Sequence, residues 1–145
     1  MDPPWVHGVT GEIIDAVDGS APDDVWAVGR IERPQSVSRT LVFHWDGHSW
    51  ARTASPNPGV SHVDYLSDVS ALSASDVWAV GTRTVAGYVF EPLILHWDGT
   101  TWSSVHSAAQ HEPSTDLRGV SADSSDDVWA VGYDFTAIRP VVERW

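Results

Sequence analysis

The chain has 145 residues, a formal net charge of −12, no Cys, and eight basic residues that are all Arg. Without Cys it can form neither a disulfide nor a thiolate metal site. Nucleic acids and anionic membranes are bound through clustered cations, which so acidic a chain lacks. We therefore expect neither of them as a partner.

The sequence also lacks targeting and membrane-spanning patterns. No stretch approaches the roughly 18 apolar residues of a transmembrane helix. The N-terminus has no basic segment followed by an apolar one, as a signal peptide would. We expect a soluble protein with no signal peptide in this chain; the compartment stays open, because a mature secreted protein would look the same.

The hexapeptide Asp-Val-Trp-Ala-Val-Gly occurs three times, at 24–29, 76–81 and 127–132. The copies are 52 and 51 residues apart, a period typical of propellers and other repeat arrays. Most of the nine Trp residues fall in these repeats.

In chain order, each repeat begins with an apolar segment that ends in Val, at 14–17, 66–69 and 117–120. Ten residues separate the first residue of that segment from the Asp of the hexapeptide in every copy. The intervening residues are rich in Ser and Asp, with Gly and Pro in the first copy, and these residues favour turns. This constant length predicts a hairpin.

After the hexapeptide and a variable polar segment comes a second apolar run, at 40–43, 92–95 and 140–142. These runs are short, rich in branched residues and bounded by turn formers, so they predict strands. Trp-Asp-Gly follows in two copies and predicts a type I′ turn. A fourth strand would then start at Trp50 and at Trp102. No segment has a helical period.

Strands such as Val-Trp-Ala-Val are apolar on nearly every residue, which indicates burial on both faces. Sheets stacked face to face around an axis would provide that burial. The pattern Leu-x-x-Val-Ser-Ala, Asp-Val-Trp-Ala-Val-Gly and His-Trp-Asp-Gly-x-x-Trp resembles the Trp-rich blade repeat of bacterial β-propellers, which is similar to kelch-type and tectonin-type blades. The resemblance covers essentially the whole chain. It implies an all-β propeller with three four-stranded antiparallel blades, at 14–54, 66–106 and 117–145.

The third blade has only three strands in sequence order, because its repeat stops at Trp145. Four residues separate Trp45 from Trp50, and four separate Trp97 from Trp102. Four residues also precede Trp5. We therefore predict that 1–13 is a displaced outer strand that completes the last blade. The residues expected to close it are Trp5, Val6, His7, Val141, Val142 and Trp145.

Three blades are too few for a ring, since propellers have about four to eight. An open set would expose apolar faces and unpaired strand edges, which associate. Cyclic symmetry is the usual solution. We expect the single repeat domain 1–145 to form a homodimer with six blades; a homotrimer with nine is the alternative.

The connections between strands 2 and 3 and between blades vary in length and share one face of such a fold. Variable loops on a rigid scaffold commonly bind ligands. They span 30–39, 56–65, 82–91, 106–116 and 133–139. With the outer-rim Trp residues added, the candidate ligand-binding residues are Trp50, Trp102, Arg33, His62, Tyr65, Arg83 and His111. A carbohydrate is the first ligand to expect, because the resemblance includes lectin-like propellers.

Most recurring residues have a structural explanation. The Trp residues are expected in the blade core, and Asp24, Asp76 and Asp127 are expected to accept hydrogen bonds from a turn. Arg144 replaces His44 and His96 at the third equivalent position, which argues against a metal site. We expect no metal and no cofactor.

No nucleophile elbow, P-loop or dinucleotide fingerprint occurs in the sequence. We expect a non-enzymatic propeller module that self-assembles and binds a ligand on its variable-loop face. Two alternatives stay open. One is a purely structural self-assembling scaffold or an engineered propeller fragment; the other is a hydrolase or lyase that uses loop carboxylates and His.

Overall fold

The computed structural model describes residues 11–59, 63–86, 89–107 and 114–145. They form two four-stranded sheets and one three-stranded sheet. Sheet 1 contains β1 (Gly11–Ala21), β2 (Asp24–Arg33), β3 (Val37–Trp45) and β4 (Trp50–Arg52). Sheet 2 contains β5 (Asp64–Ser73), β6 (Asp76–Val85), β7 (Val89–Trp97) and β8 (Trp102–Val105). Sheet 3 contains β9 (Thr115–Ser124), β10 (Asp127–Asp134) and β11 (Arg139–Arg144).

Within each sheet, every strand pairs antiparallel with the next strand in sequence, so the all-β antiparallel prediction is confirmed. The described residues contain no α-helix, and a 3₁₀ turn lies at Pro34–Ser36. Within them, no helix has the length and apolar character needed to cross a membrane.

The first strands of the sheets lie side by side, with β1 against β5 and β5 against β9. Strand β5 also contacts β2 and β3, and β9 contacts β6 and β7. Sheet 2 therefore packs its first strand on sheet 1, and sheet 3 packs its first strand on sheet 2. This arrangement fits a β-propeller-like fold. The three sheets do not close into a ring.

Sheets 1 and 2 pack through one face of the hexapeptide strand β2. The Trp26 indole is 1% exposed, and its ring centroid lies 5.0 Å from that of Trp97 and 5.3 Å from that of Trp102. Val28 and Val42 lie in the same cluster. Sheet 2 supplies the remaining buried members, which are Leu66, Val69, Val77, Ala79, Leu93, Leu95 and Trp102.

Sheets 2 and 3 repeat this contact with the equivalent residues. Trp78, Val80 and Ile94 of sheet 2 pack against Leu117, Val128, Ala130 and Val141 of sheet 3. Trp145 stacks on Trp78 with ring centroids 6.3 Å apart. One kind of interface is thus used twice.

The sequence predicted that the three hexapeptide Asp residues accept hydrogen bonds from a turn. Asp76 does accept one from Ser125 in the β9–β10 turn, whereas Asp127 has no turn partner among the described residues. Asp24 accepts a hydrogen bond from Ser20 near the end of β1. It also accepts one from Nε1 of Trp26 at 3.2 Å and one from Nε2 of His44 at 2.7 Å. The His44 ring stacks on Trp26, with centroids 4.2 Å apart.

The same unit recurs at Asp76 with Trp78 and His96. In sheet 3, Nε of Arg144 lies 2.7 Å from Asp127 and its guanidinium lies over Trp129. Arg144 therefore takes the place of His in the same packing unit.

The predicted type I′ turn after Trp45 and Trp97 is wrong. Only Gly47 and Gly99 have a positive φ there, whereas a type I′ turn needs two such residues. The loop is four residues long because Trp45 pairs with Trp50. Oδ1 of Asp46 accepts the N–H groups of His48 and Ser49, both at 2.8 Å, and this side-chain capping sets the turn.

The first strand of every sheet contains a β-bulge opposite the hexapeptide Gly. The extra residues are Asp15, Ser67 and Arg118, which have no cross-strand partner between their paired neighbours. A bulge bends the strand and redirects its side chain. These three residues occupy equivalent positions in the repeats.

Residues 11–13, which the sequence placed in the leader, form the start of β1. The predicted closing residues Trp5, Val6 and His7 lie outside the described residues. Of the others, Val141 is buried against sheet 2 and Val142 is exposed. Among the described residues, the outer edge of β11 pairs with no strand.

Candidate functional site

The three bulged residues line one cleft of about 540 Å³ that opens beside the first strands of all three sheets. Ligand sites commonly have volumes of about 300–1,000 Å³. Bulges are frequent next to such sites because they redirect side chains out of the strand ladder. The residues that line the cleft are Asp15, Arg30, Ser38, Val63, Tyr65, Ser67, Asp116 and Arg118.

Charged groups in the cleft are paired with one another. Nη1 of Arg30 lies 2.8 Å from Asp15, and Nε of Arg118 lies 2.9 Å from Asp116. Thr82 donates a hydrogen bond of 2.6 Å to Asp116 from the neighbouring sheet. Two carboxylates and two guanidinium groups therefore give the cleft balanced charge.

Tyr65 supplies the aromatic surface of the cleft. The guanidinium of Arg30 lies 5.9 Å from the centre of its ring, a distance at which a cation is attracted to an aromatic face. Burial raises the pKa of Tyr65, and the nearby charge of Asp116 raises it further. The phenol is therefore neutral at pH 7 and keeps its O–H.

Several polar groups in the cleft remain available to a ligand. The Arg118 side chain is 66% exposed, and only its Nε has a hydrogen-bond partner among the described residues. The hydroxyl of Ser67 makes no hydrogen bond within the part of the chain that the structure describes. These groups can donate to a bound molecule without breaking an existing contact.

The structure brings one of the seven predicted ligand residues, Tyr65, into this cleft. Arg33 lies in a second hollow of about 490 Å³, together with Arg39 and Arg52. Arg83 forms an ion pair with Glu91 at 2.8 Å. His62 and His111 lie outside the described residues.

The two predicted rim Trp residues are not in the cleft either. Trp102 is 6% exposed and packs edge-on against Trp26 in the core. Trp50 lies on the outer face of sheet 1, in a shallow apolar hollow. Packing therefore accounts for Trp102, and Trp50 belongs to a different surface from the cleft.

Sequence reasoning missed Asp15, Arg30, Ser67 and Arg118. A signal for three of them was present: the residue after the first apolar position changes from Asp to Ser to Arg while that first position stays Ile or Leu. A position that varies in chemistry within a constant packing frame is free to serve binding. The convergence itself depends on the bulges and on the packing of the three sheets, which bring residues distant in sequence together.

Ser20, Asp24 and His44 lie together in sheet 1, but their hydrogen bonds do not activate the Ser hydroxyl as a nucleophile. Ser20 donates its hydroxyl hydrogen to Asp24, and His44 contacts the same carboxylate. In a nucleophilic triad, the Ser would instead donate to the His. Within the described ranges, no group of three or more His, Asp or Glu side chains is placed to hold a metal ion.

The outer face of sheet 3 exposes apolar side chains. Trp129 is 46% exposed, Val131 50% and Val142 60%. The equivalent residues of sheet 1 are Trp26, Val28 and Val42, and those of sheet 2 are Trp78, Val80 and Ile94; all six are buried. We call these three exposed residues the tail face.

The outer face of sheet 1 exposes the opposite half of the same contact. Ile14 is 47% exposed and Val17 is 63% exposed, whereas their equivalents in sheet 2, Leu66 and Val69, are buried against sheet 1. Ile14, Val17, Ala27, Phe43 and Trp50 line a hollow of about 270 Å³. We call these five residues the head face.

No model of a known protein family matches the chain, and comparison with curated proteins yields no match.

Proposed function

We propose that the chain is a non-enzymatic β-propeller module that joins head face to tail face with a second copy and closes a ring of six sheets. The ring presents its variable-loop side to a ligand, with a carbohydrate as the first candidate. The observation that carries the proposal is the pair of exposed faces. Each repeats the residues of one side of an interface already used twice within the chain.

The fit between the two faces follows from equivalent residues. Trp26 of sheet 1 packs against Trp102 of sheet 2. On the head face, Trp50 occupies the position of Trp102, and on the tail face Trp129 occupies that of Trp26. Trp129 of one copy therefore has the head-face hollow of another as its counterpart.

The energy of such a contact favours association. Burying apolar surface contributes about 25 cal/mol per Å², and an aromatic side chain buries about 150–250 Å². A twofold ring would contain two identical head-to-tail contacts, and together these would cover both head faces and both tail faces. A head-to-tail contact that did not close would instead propagate into a filament.

The proposal also assigns a pairing partner to the predicted N-terminal strand. Trp5, Val6 and His7 of one copy would pair with the outer edge of β11 in the other and supply the fourth strand of sheet 3. The edge of β11, which is unpaired among the described residues, supports this pairing.

Light scattering coupled to size-exclusion chromatography tests the assembly. We expect the wild-type chain to have twice its monomer mass, and Val17→Asp or Val142→Asp to be monomeric. Both Val side chains are exposed in the single chain, so the variants should fold, which circular dichroism can check. Ser104→Asp, at an exposed position of β8 outside both faces, is the matched control and should remain dimeric.

Mixing the two variants tests the head-to-tail arrangement. Val17→Asp keeps an intact tail face and Val142→Asp keeps an intact head face, so the mixture should regain dimers at a 1:1 ratio. An interface that joins like faces would give no such recovery. A monomeric wild-type chain would refute the assembly, and a threefold mass would replace the dimer with a nine-sheet trimer.

The contacts of Ser20 and His44 support a non-enzymatic module. Both side chains bind the same carboxylate and the Ser does not contact the His, so this cluster is organised for packing. The recurrence of its Asp, Trp and His in sheet 2 supports the same conclusion.

A further inference from the structure

We infer that the cleft between the first strands binds a neutral polyhydroxylated molecule of sugar size, with Arg118 and Ser67 as direct hydrogen-bond donors. The inference rests on the ligand-binding part of the proposed function and is independent of assembly, because every residue that carries it belongs to one chain. It names the site and the chemical class of the ligand.

The bulges are the first argument for a site. Three equivalent strands each insert one extra residue at the same point, and all three extra side chains line the same cleft. The core needs no charged residue at these positions. Nevertheless, the repeats place an acid, a hydroxyl and a base there.

Charge balance is the argument for a neutral ligand. Asp15 is paired with Arg30 and Asp116 with Arg118. An anion would be repelled by the two carboxylates, and a cation by the two guanidinium groups. A charged ligand would therefore gain no net electrostatic attraction in the cleft, whereas a neutral polyol leaves both ion pairs intact.

The available donors and acceptors match a polyol. Hydroxyl groups of a ligand both donate and accept, so they can accept from the Nη atoms of Arg118 and donate to the oxygens of Asp15. Ser67 can do either. Tyr65 contributes an aromatic side chain that can pack against the C–H side of a sugar ring. A volume of about 540 Å³ admits a mono- or disaccharide.

Calorimetry and saturation-transfer NMR with a panel of free sugars test the inference. The panel holds glucose, galactose, mannose and N-acetylglucosamine, with glucuronate and glucosamine as charged comparisons. We expect millimolar binding of at least one neutral sugar and weaker binding of both charged ones. Loss of a hydrogen bond from a charged donor should weaken binding about tenfold or more in Arg118→Ala.

Two further variants make the result specific. Ser67→Ala should weaken binding several-fold. Arg52→Ala also removes an exposed guanidinium, but its side chain lies outside the cleft, so it should bind like the wild type. Equal loss in Arg52→Ala and Arg118→Ala would overturn the assignment of the site.

The monomeric variant Val142→Asp separates the two proposals. Sugar binding retained in that variant would support the cleft whatever the state of assembly. A wild-type chain that assembles but binds none of the neutral sugars would overturn the inference and leave the assembly standing. Preference for glucuronate or glucosamine would overturn the assignment of a neutral ligand.

Discussion

At Gly29, Gly81 and Gly132, a Cβ atom would collide with a backbone carbonyl oxygen of the neighbouring first strand. The oxygens belong to Ile13, Tyr65 and Asp116, which lie just before the bulges. Glycine in a strand often marks such a close backbone approach. The last residue of the hexapeptide therefore makes room for the bulge that places a side chain in the cleft.

Replacing Gly81 tests this role. We expect Gly81→Ala to lower the free energy of unfolding by about 3 kcal/mol, at the upper end of the range for overpacked sites. Urea denaturation at fixed protein concentration measures the change. The concentration must be fixed because assembly contributes to apparent stability.

Gly11→Ala is the control for that substitution, because a Cβ at Gly11 would meet no atom within 4 Å. Its free energy of unfolding should stay within about 0.5 kcal/mol of the wild type. Equal changes in the free energy of unfolding at Gly11 and Gly81 would show that strand propensity, and not the close backbone approach, determines the effect of Gly81→Ala.

Among the strands, identical sequences have different surroundings. Strands β2 and β10 both begin with Asp-Val-Trp-Ala-Val-Gly, yet Trp26 is 1% exposed and Trp129 is 46% exposed. The difference arises because sheet 2 covers β2, whereas no described residue covers the tail face. Position in the sheet order, and not local sequence, sets the burial.

Truncating these two Trp residues should therefore give different results. Trp26→Ala should destabilise the chain by about 3–5 kcal/mol, the usual loss for a buried aromatic residue. In the monomeric Val17→Asp background, Trp129→Ala should cost less than about 1 kcal/mol. With Val17 intact, Trp129→Ala should weaken dimers measured by sedimentation. A large loss of stability in the monomer would mean that Trp129 already packs within its own chain.

The strands could be predicted from the sequence because their apolar residues and turn formers repeat at fixed spacing. The turn at Asp46 could not, because Asp-Gly fits several hairpins and the side-chain hydrogen bonds select among them. The cleft could not either. Asp15 and Arg118 are far apart in sequence, and only cross-strand register and sheet packing bring them to one place.

At the scale of the whole molecule, carboxylates dominate the charge, with 20 acidic residues against eight basic ones. Many of the carboxylates are hydrogen-bonded in the folded chain. Burial alone would raise the pKa of Asp24, but hydrogen bonds from Ser20 and His44 lower it overall. Backbone and side-chain hydrogen bonds from Thr101 and Thr100 hold the pKa of Asp98 at about 2. Among the described residues, the carboxyl groups with a lowered pKa are Asp24, Asp46, Asp76, Asp98, Asp127 and Asp134.

These shifts predict acid instability. A carboxyl whose pKa is lower in the folded chain than in the unfolded chain, where it is 3.8 for Asp, stabilises the fold when the pH lies above 3.8. That contribution is lost as the pH falls through the folded pKa. Asp64 has the opposite sign, because burial raises its pKa, and protonating it relieves a cost. Among the described carboxyl groups, the six with a lowered pKa outweigh the one with a raised pKa, so the free energy of unfolding should fall between about pH 4 and pH 2.

Urea denaturation at a series of pH values and fixed protein concentration measures this profile. Asp98→Asn removes one titrating group with a lowered pKa, and it should flatten the acid limb of the curve. Asp123→Asn is the control, because its carboxylate is exposed and has no hydrogen-bond partner among the described residues; its profile should match the wild type. A wild-type stability that rises or stays level toward pH 2 would contradict the hydrogen bonds assigned to these six carboxylates.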